Sequence, residues 1–167
     1  MDQLSPSWFN SYPRIAVVGS PGGGKSTFAR KIAAETGHPL ISLDYEYWSE
    51  GWTHPSGEEW RAMNEGFVRG ERWIIDGNYG GTIELRYRAA DLVVFLDVPR
   101  LECMRRAIRR RGKDRPDMKD EVKEPLLFSK NFLEFLWFIW RYPKRGKRKV
   151  MALREKYPDV EFVSIKN

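Results

Sequence analysis

Apolar residues along the chain fall into short continuous blocks, separated by stretches with helical spacing, and several blocks end on glycine or aspartate. Residues 15–18 form a largely β-branched run that leads into Gly19. Phe28, Ile32 and Ala33 then recur at helical intervals until Gly37 and Pro39. That pair is a stop signal, because glycine takes the left-handed terminal conformation and proline cannot continue the ladder. Residues 40–43 predict a second strand ending at Asp44. After an aromatic segment, Ser56 and Glu59 match a capping box, and Trp60, Met63 and Phe67 give the following helix its apolar face. Residues 73–75 ending at Asp76, residues 92–96 ending at Asp97, and residues 160–165 predict three more strands.

Continuous apolar strands separated by helices mark a parallel sheet covered on both faces, because each crossover lays a helix over the sheet. The expectation is a three-layer α/β/α fold with a five-stranded parallel sheet, in which residues 1–167 form a single domain. Ligands of such folds gather outside the carboxyl ends of the strands, where Gly19, Asp44, Asp76 and Asp97 all fall.

Gly19-Ser20-Pro21-Gly22-Gly23-Gly24-Lys25-Ser26 fits G-x-x-x-x-G-K-[ST] in full, and it lies between a strand pattern and a helix pattern. Glycines let the backbone curl so that successive N–H groups converge on phosphate oxygens, and the helix N-terminus adds partial positive charge. Gly22, Gly23, Gly24, Lys25, Ser26 and Thr27 are therefore the expected nucleotide-binding residues of a P-loop, with Lys25 on the β- and γ-phosphates and the Ser26 hydroxyl on Mg²⁺. The motif names ATP-type chemistry without naming the reaction, since kinases, switches and motors share it.

Composition narrows the class. The chain has 167 residues, 41% hydrophobic and 31% charged, enough for one packed core. The single cysteine, Cys103, has no partner for an internal disulfide, and residues 1–14 lack the apolar run of a secretion signal, so a reducing, cytoplasmic setting is expected. Lys and Arg outnumber Asp and Glu 29 to 23, and the excess concentrates at 105–115 and 141–149. Such clusters attract anions, which include ATP as well as nucleic acid. The apolar stretch 126–140 is broken by Lys130, Asn131 and Glu134, so it is too interrupted to span a bilayer; a buried helix, a partner-binding face and a membrane-surface helix all fit it.

A magnesium–nucleotide site commonly takes a second acidic group from a neighbouring strand end. Asp76, followed by the glycine-rich loop 77–81, is favoured for this role over Asp97; a turn-capping aspartate is the plainer reading of each. Asp44 stands where it could orient or deprotonate an acceptor hydroxyl, or simply be a solvated turn residue. Trp48 and Trp52 fit either a flat substrate or packing. Arg106 and Arg110, at i and i+4, are expected to project opposite Leu101, Met104 and Ile108 as a cationic pair for the transferring phosphoryl group, and the basic loop near 111–125 to act as a lid. His38 and His54 are too few and too separated for a metal cluster.

Together with the phosphate loop, the segments 43–52, Trp73-Ile74-Ile75-Asp76-Gly77-Asn78-Tyr79-Gly80-Gly81-Thr82, 95–100 and Arg115-Pro116-Asp117-Met118 resemble the bacterial proteins labelled DNA topology modulation protein, which are related to adenylate kinase. The resemblance spans nearly the whole chain. It implies a nucleoside monophosphate kinase-like fold, Mg²⁺–ATP as phosphoryl donor, a metal-side role for Asp76 with Ser26, and phosphate-holding roles for Arg106 and Arg110. One departure stands out: an adenylate kinase carries an arginine a few residues after the Asp-Gly to hold the acceptor's phosphate, whereas this chain has Asn78, Tyr79, Gly80 and Gly81. The expected activity is transfer of the ATP γ-phosphate to a small nucleoside, nucleotide or other hydroxyl compound. The family label also raises a nucleotide-dependent DNA- or RNA-binding function, supported by the basic segments.

Overall fold

The computed structural model describes residues 5–110 and 130–166. Its strands β1 (Arg14–Gly19), β2 (Leu40–Ser42), β3 (Trp73–Asp76), β4 (Leu92–Asp97) and β5 (Glu161–Lys166) form one sheet in the order β2-β3-β1-β4-β5. Every neighbouring pair is parallel. Helices α1 (Pro6–Asn10), α2 (Lys25–Thr36), α3 (Leu43–Tyr47), α4 (Gly57–Phe67), α5 (Ile83–Ala89), α6 (Arg100–Arg110), α7 (Lys130–Tyr142) and α8 (Arg148–Lys156) accompany it. No helix among the described residues is long and apolar enough to cross a membrane.

Alternation along the strands divides the interior into two cores. Ala16, Val18, Trp73, Ile75, Val93 and Phe95 point to one face and pack with Trp60, Ile83, Tyr87, Val150 and Leu153 from α4, α5 and α8. Ile15, Val17, Ile74, Leu92, Val94 and Leu96 point to the other and pack with Phe9, Ala29, Ile32, Cys103, Ala107 and Ile139 from α1, α2, α6 and α7. The expected three-layer arrangement and five parallel strands are thus present. The capping box of α4 also forms, with Ser56 Oγ accepting from the Glu59 N–H and Glu59 accepting from the Ser56 N–H.

One expectation needs correction. The second strand ends at Ser42, and Asp44 lies in the first turn of α3 instead of at a strand terminus. Leu43 is the cause: fully buried, it turns the chain down into the core, while the carboxylate of Asp44 suits a helix N-terminus. On α6 the inward residues are Cys103 and Ala107, whereas Leu101 and Ile108 are 68% and 45% exposed. The phosphate loop dictates this choice, because a Cβ placed on Gly22 would lie 2.4 Å from the Cys103 carbonyl oxygen. Backbones that close leave room only for small side chains on the facing helix. Arg106 and Arg110 flank the buried stripe beside the loop, on the side of the helix turned away from Leu101, Met104 and Ile108. The expected lid near 111–125 lies outside the described residues.

Candidate functional site

Because all strands run parallel, their carboxyl ends meet on one side of the sheet, and a cleft of about 800 Å³ opens there. Gly22, Gly24, Lys25, Ser26, Thr27, Asp44, Asp76 and Arg110 all line it, so most of the residues anticipated for nucleotide, metal and acceptor share one cavity.

The loop owes its shape to glycine at defined points. Gly22 and Gly24 have φ of 76° and 89°, in the left-handed region that disfavours side chains. The Gly23 N–H donates to the Ser20 carbonyl at 2.9 Å, closing the turn, and Lys25 Nζ folds back to donate to the same oxygen at 3.1 Å. Burial lowers the Lys25 pKa, and the negative charges of Asp76 and Asp44 oppose that shift. Gly24 caps α2 with no side-chain bond, so the amino end of that helix opens on the cleft. Gly23 is buried under Ser20 and Val98 and serves the turn itself.

Asp76 is 3% exposed at the end of β3, next to β1 in the sheet. Asp97 is different: Lys147 Nζ holds both its carboxylate oxygens at 2.9 and 2.8 Å, which makes it a structural anchor. Lys149 donates to the Gly80 carbonyl, so two cations of the 144–149 run make contacts within the fold. The Arg106 guanidinium reaches within 3.8 Å of a Cβ built on Gly24 and pairs with Glu102 at 2.6 Å. Arg105 and Arg106 together hold the Glu102 carboxyl down at about 2.

Across the cleft, the Tyr79 hydroxyl donates to Asp44 Oδ1 at 2.8 Å and accepts from the Trp48 side chain. Burial, reinforced by the Asp44 charge, raises the Tyr79 pKa, so the phenol keeps its proton as a donor. Trp48, Trp52 and His54 complete this wall; Trp48 meets Trp52 edge-on at 5.1 Å, and His54 stacks on Tyr47 at 5.1 Å.

Several supports escaped the sequence reading. Asn78 clamps the start of the phosphate loop, accepting from the Gly19 N–H at 3.2 Å and donating to the Gly19 carbonyl at 2.7 Å. Arg86, 1% exposed, donates to Asn64 Oδ1, Thr82 Oγ1 and the Asn78 carbonyl, tying α4, α5 and the 77–81 loop together. Its hint in the sequence was Asn64, a polar residue four positions after Trp60 on the apolar side of a helix. His54, dismissed as a metal ligand, reaches the cleft, as do Arg30, Phe132, Phe135 and Phe138. Among the described residues no group of three or more His, Cys, Asp or Glu side chains could hold a metal ion.

Comparison with known proteins fits this geometry. Residues 15–127 match the family model described as AAA domain. The chain is 24% identical over 152 residues to the nucleoside-triphosphatase THEP1 of Aquifex aeolicus (strain VF5), spanning 90% of this chain and 83% of that protein. It is 30% identical over 108 residues to a shikimate kinase of Rhodococcus erythropolis (strain PR4 / NBRC 100887), spanning 56% and 64% respectively. A solved shikimate kinase from Bacteroides thetaiotaomicron has the same fold, with a TM-score of 0.55 at 19% identity over 93% of this chain and 86% of that one.

Proposed function

Starting from a chain that belongs to the AAA domain family as a kinase-like P-loop NTPase, we propose that it transfers the γ-phosphate of ATP to a hydroxyl group of a small molecule. One observation carries this reading: Asp44, fixed by the Tyr79 hydroxyl at 2.8 Å, faces the same cleft as Lys25 and Ser26. A hydrolase needs only water opposite the phosphates. A carboxylate built into an aromatic wall supplies what an acceptor hydroxyl requires.

In this reading the 22–27 loop and the amino end of α2 hold the triphosphate, and Lys25 balances charge on its terminal phosphates. The Ser26 hydroxyl and the Asp76 carboxylate are hard oxygen donors lining the same cleft, which suits Mg²⁺ bound mainly through phosphate and water. When bound, that ion neutralises charge on the phosphates. Asp44 orients the acceptor and takes its proton; the acceptor oxygen bonds to the γ-phosphorus as the bond to the β–γ bridging oxygen breaks, and ADP departs with that electron pair. Arg106 and Arg110 stabilise the charge in transit. Catalysis rests on position and field, with no covalent intermediate on the protein.

The Asp-Gly-Asn-Tyr-Gly-Gly and Arg-Pro-Asp-Met segments support a finer placement beside the proteins labelled DNA topology modulation protein, related to adenylate kinase. Steady-state ADP formation from Mg²⁺–ATP tests the proposal. An acceptor-dependent rate that falls about 100-fold in Asp44→Asn is expected. ADP formation that responds to DNA or RNA and to no small acceptor would instead favour the nucleic-acid function.

A further inference from the structure

Two residues other than glycine hold a positive φ among those described: Trp52 at 59° and Tyr79 at 39°. Both are aromatic, and both line the wall of the cleft that faces the phosphate loop. Left-handed backbone is costly for such side chains and persists where the surroundings enforce it, as at active sites, ligand clamps and switch regions. The enforcement is visible. Trp52 closes the short 3₁₀ turn Glu50–Trp52, pinned by the Ser49↔Thr53 bridge. Tyr79 follows directly on Asn78, whose side chain clamps Gly19 and whose carbonyl accepts from Arg86.

Charge is distributed unevenly around the same cleft. Its described cations are Lys25, Arg30 and Arg110, all from α2 and α6, the elements of the nucleotide side. Segments 44–54 and 76–80 contribute carboxylates and aromatic rings, with His54 as the one titratable base among their described residues. A phosphorylated or carboxylate-bearing acceptor seated against that wall meets Asp44 and no Lys or Arg belonging to it, a repulsive arrangement in a partly desolvated site. A neutral compound with a flat ring meets faces to stack on and a carboxylate to receive its hydroxyl.

Building on the kinase reading of this cleft, we propose that the acceptor is an unphosphorylated nucleoside, its base held against Trp48, Trp52 and Tyr79 and a sugar hydroxyl held by Asp44. The ring distinguishes a nucleoside from a simple sugar or polyol. The missing phosphate distinguishes it from the acceptor of an adenylate kinase.

Calorimetric titration of the full chain decides this. Adenosine, cytidine, AMP, CMP and ribose are each titrated with and without saturating Mg²⁺–ADP, which fills the nucleotide side. Binding of at least one nucleoside that survives ADP, and that is at least tenfold tighter than its monophosphate and than ribose, is the expected result. Trp52→Leu is expected to weaken it by about fivefold or more. Tyr79→Phe is expected to retain nucleoside affinity and lower the rate of ADP formation. Tighter binding of a monophosphate or of ribose, loss of nucleoside binding under ADP, or no nucleoside binding at all overturns the proposal. Failure of the kinase reading looks different: the nucleoside binds as expected, yet no acceptor yields ADP.

Discussion

Arg86 offers the sharpest test of how the acceptor wall is supported. Its guanidinium is 1% exposed and donates to Asn64 Oδ1, Thr82 Oγ1 and the Asn78 carbonyl, three neutral acceptors drawn from three segments. Burial pulls its pKa down to about 9, which leaves it charged at pH 7. Truncation to Met removes three charge-assisted bonds, each with a net value of about 1.5 kcal/mol or more, and strands buried acceptors. Desolvation of the cation is relieved in return, an effect of several kcal/mol before compensation. The net values already contain most of that cost, so Arg86→Met is expected to destabilise the fold by about 4 kcal/mol. For a chain of this length that corresponds to a drop in Tm of roughly 8 to 16 °C. Urea unfolding followed by circular dichroism measures it directly. Arg86→Lys keeps the charge but not the planar fork, and should lose about half as much. A loss below about 1 kcal/mol in Arg86→Met would refute the reasoning, since it would mean that the buried charge costs as much as its three bonds return.

Other positions give independent checks. Gly22→Ala combines a φ of 76° with a Cβ 2.4 Å from the Cys103 carbonyl oxygen, so a destabilisation of at least about 2 kcal/mol is expected by thermal denaturation; an unchanged Tm contradicts the fit of α6 on the loop. His38 is buried, with Nε2–H donating to the Tyr12 carbonyl at 3.0 Å and Nδ1 facing Thr36 Oγ1 at 2.7 Å and Arg72 Nη2 at 3.4 Å. Burial lowers its pKa below the ordinary 6.5, with the Arg72 charge acting in the same direction and the Tyr12 hydrogen bond against it. As pH falls below 6.5 the unfolded chain binds the proton first, so stability conferred by neutral His38 is complete above that pH and is lost on acidification through the lower folded value. The fall in Tm between pH 7.5 and 5.5 should therefore be larger in the parent than in His38→Gln, and equal falls would remove His38 from the explanation. Breaking the Lys147–Asp97 pair with Lys147→Met should shift Tm by only a few degrees, because both side chains are partly exposed.

Much of the fold was legible because the central strands β1, β3 and β4 are buried on both faces and read as uninterrupted apolar runs, and because the phosphate loop declares its own strand and helix. On α6 the close approach of Gly22 to the Cys103 carbonyl puts Cys103 and Ala107 inward and leaves Leu101 and Ile108 exposed. The second strand stopped early because Leu43 had a deeper place in the core than the sheet edge offered. At the site, residues set by local motif were visible at once: Gly22, Gly24, Lys25 and Ser26 need only their own loop. Asp44 was picked out, but its tether to Tyr79 was not, since that bond joins residues 35 positions apart. Arg86 carried no sequence mark of its own, because its meaning lies in Asn64 and Asn78, which belong to other elements.

The exposed residues Leu133, Trp137 and Trp140 put large apolar surface on α7, with the Arg100 guanidinium 3.7 Å from the centre of the Trp140 ring. Of the 126–140 stretch, the part within the described residues is thus not wholly buried, although Ile139 is fully enclosed in the core that also holds Phe135 and Leu136. Phe135 and Phe138 from the same helix line the cleft, which links that helix to the site.

The most direct measurement is detection of the second product. The chain is incubated with Mg²⁺–ATP and a panel of nucleosides, nucleoside monophosphates and polyols, and the mixture is followed by phosphorus NMR. The expected result is a new phosphate monoester resonance that grows in step with ADP for one acceptor class, and that falls by at least about 100-fold in Lys25→Ala. ADP accumulating with inorganic phosphate alone, at one rate whatever acceptor is present, would contradict phosphoryl transfer and leave a nucleotide hydrolase in its place.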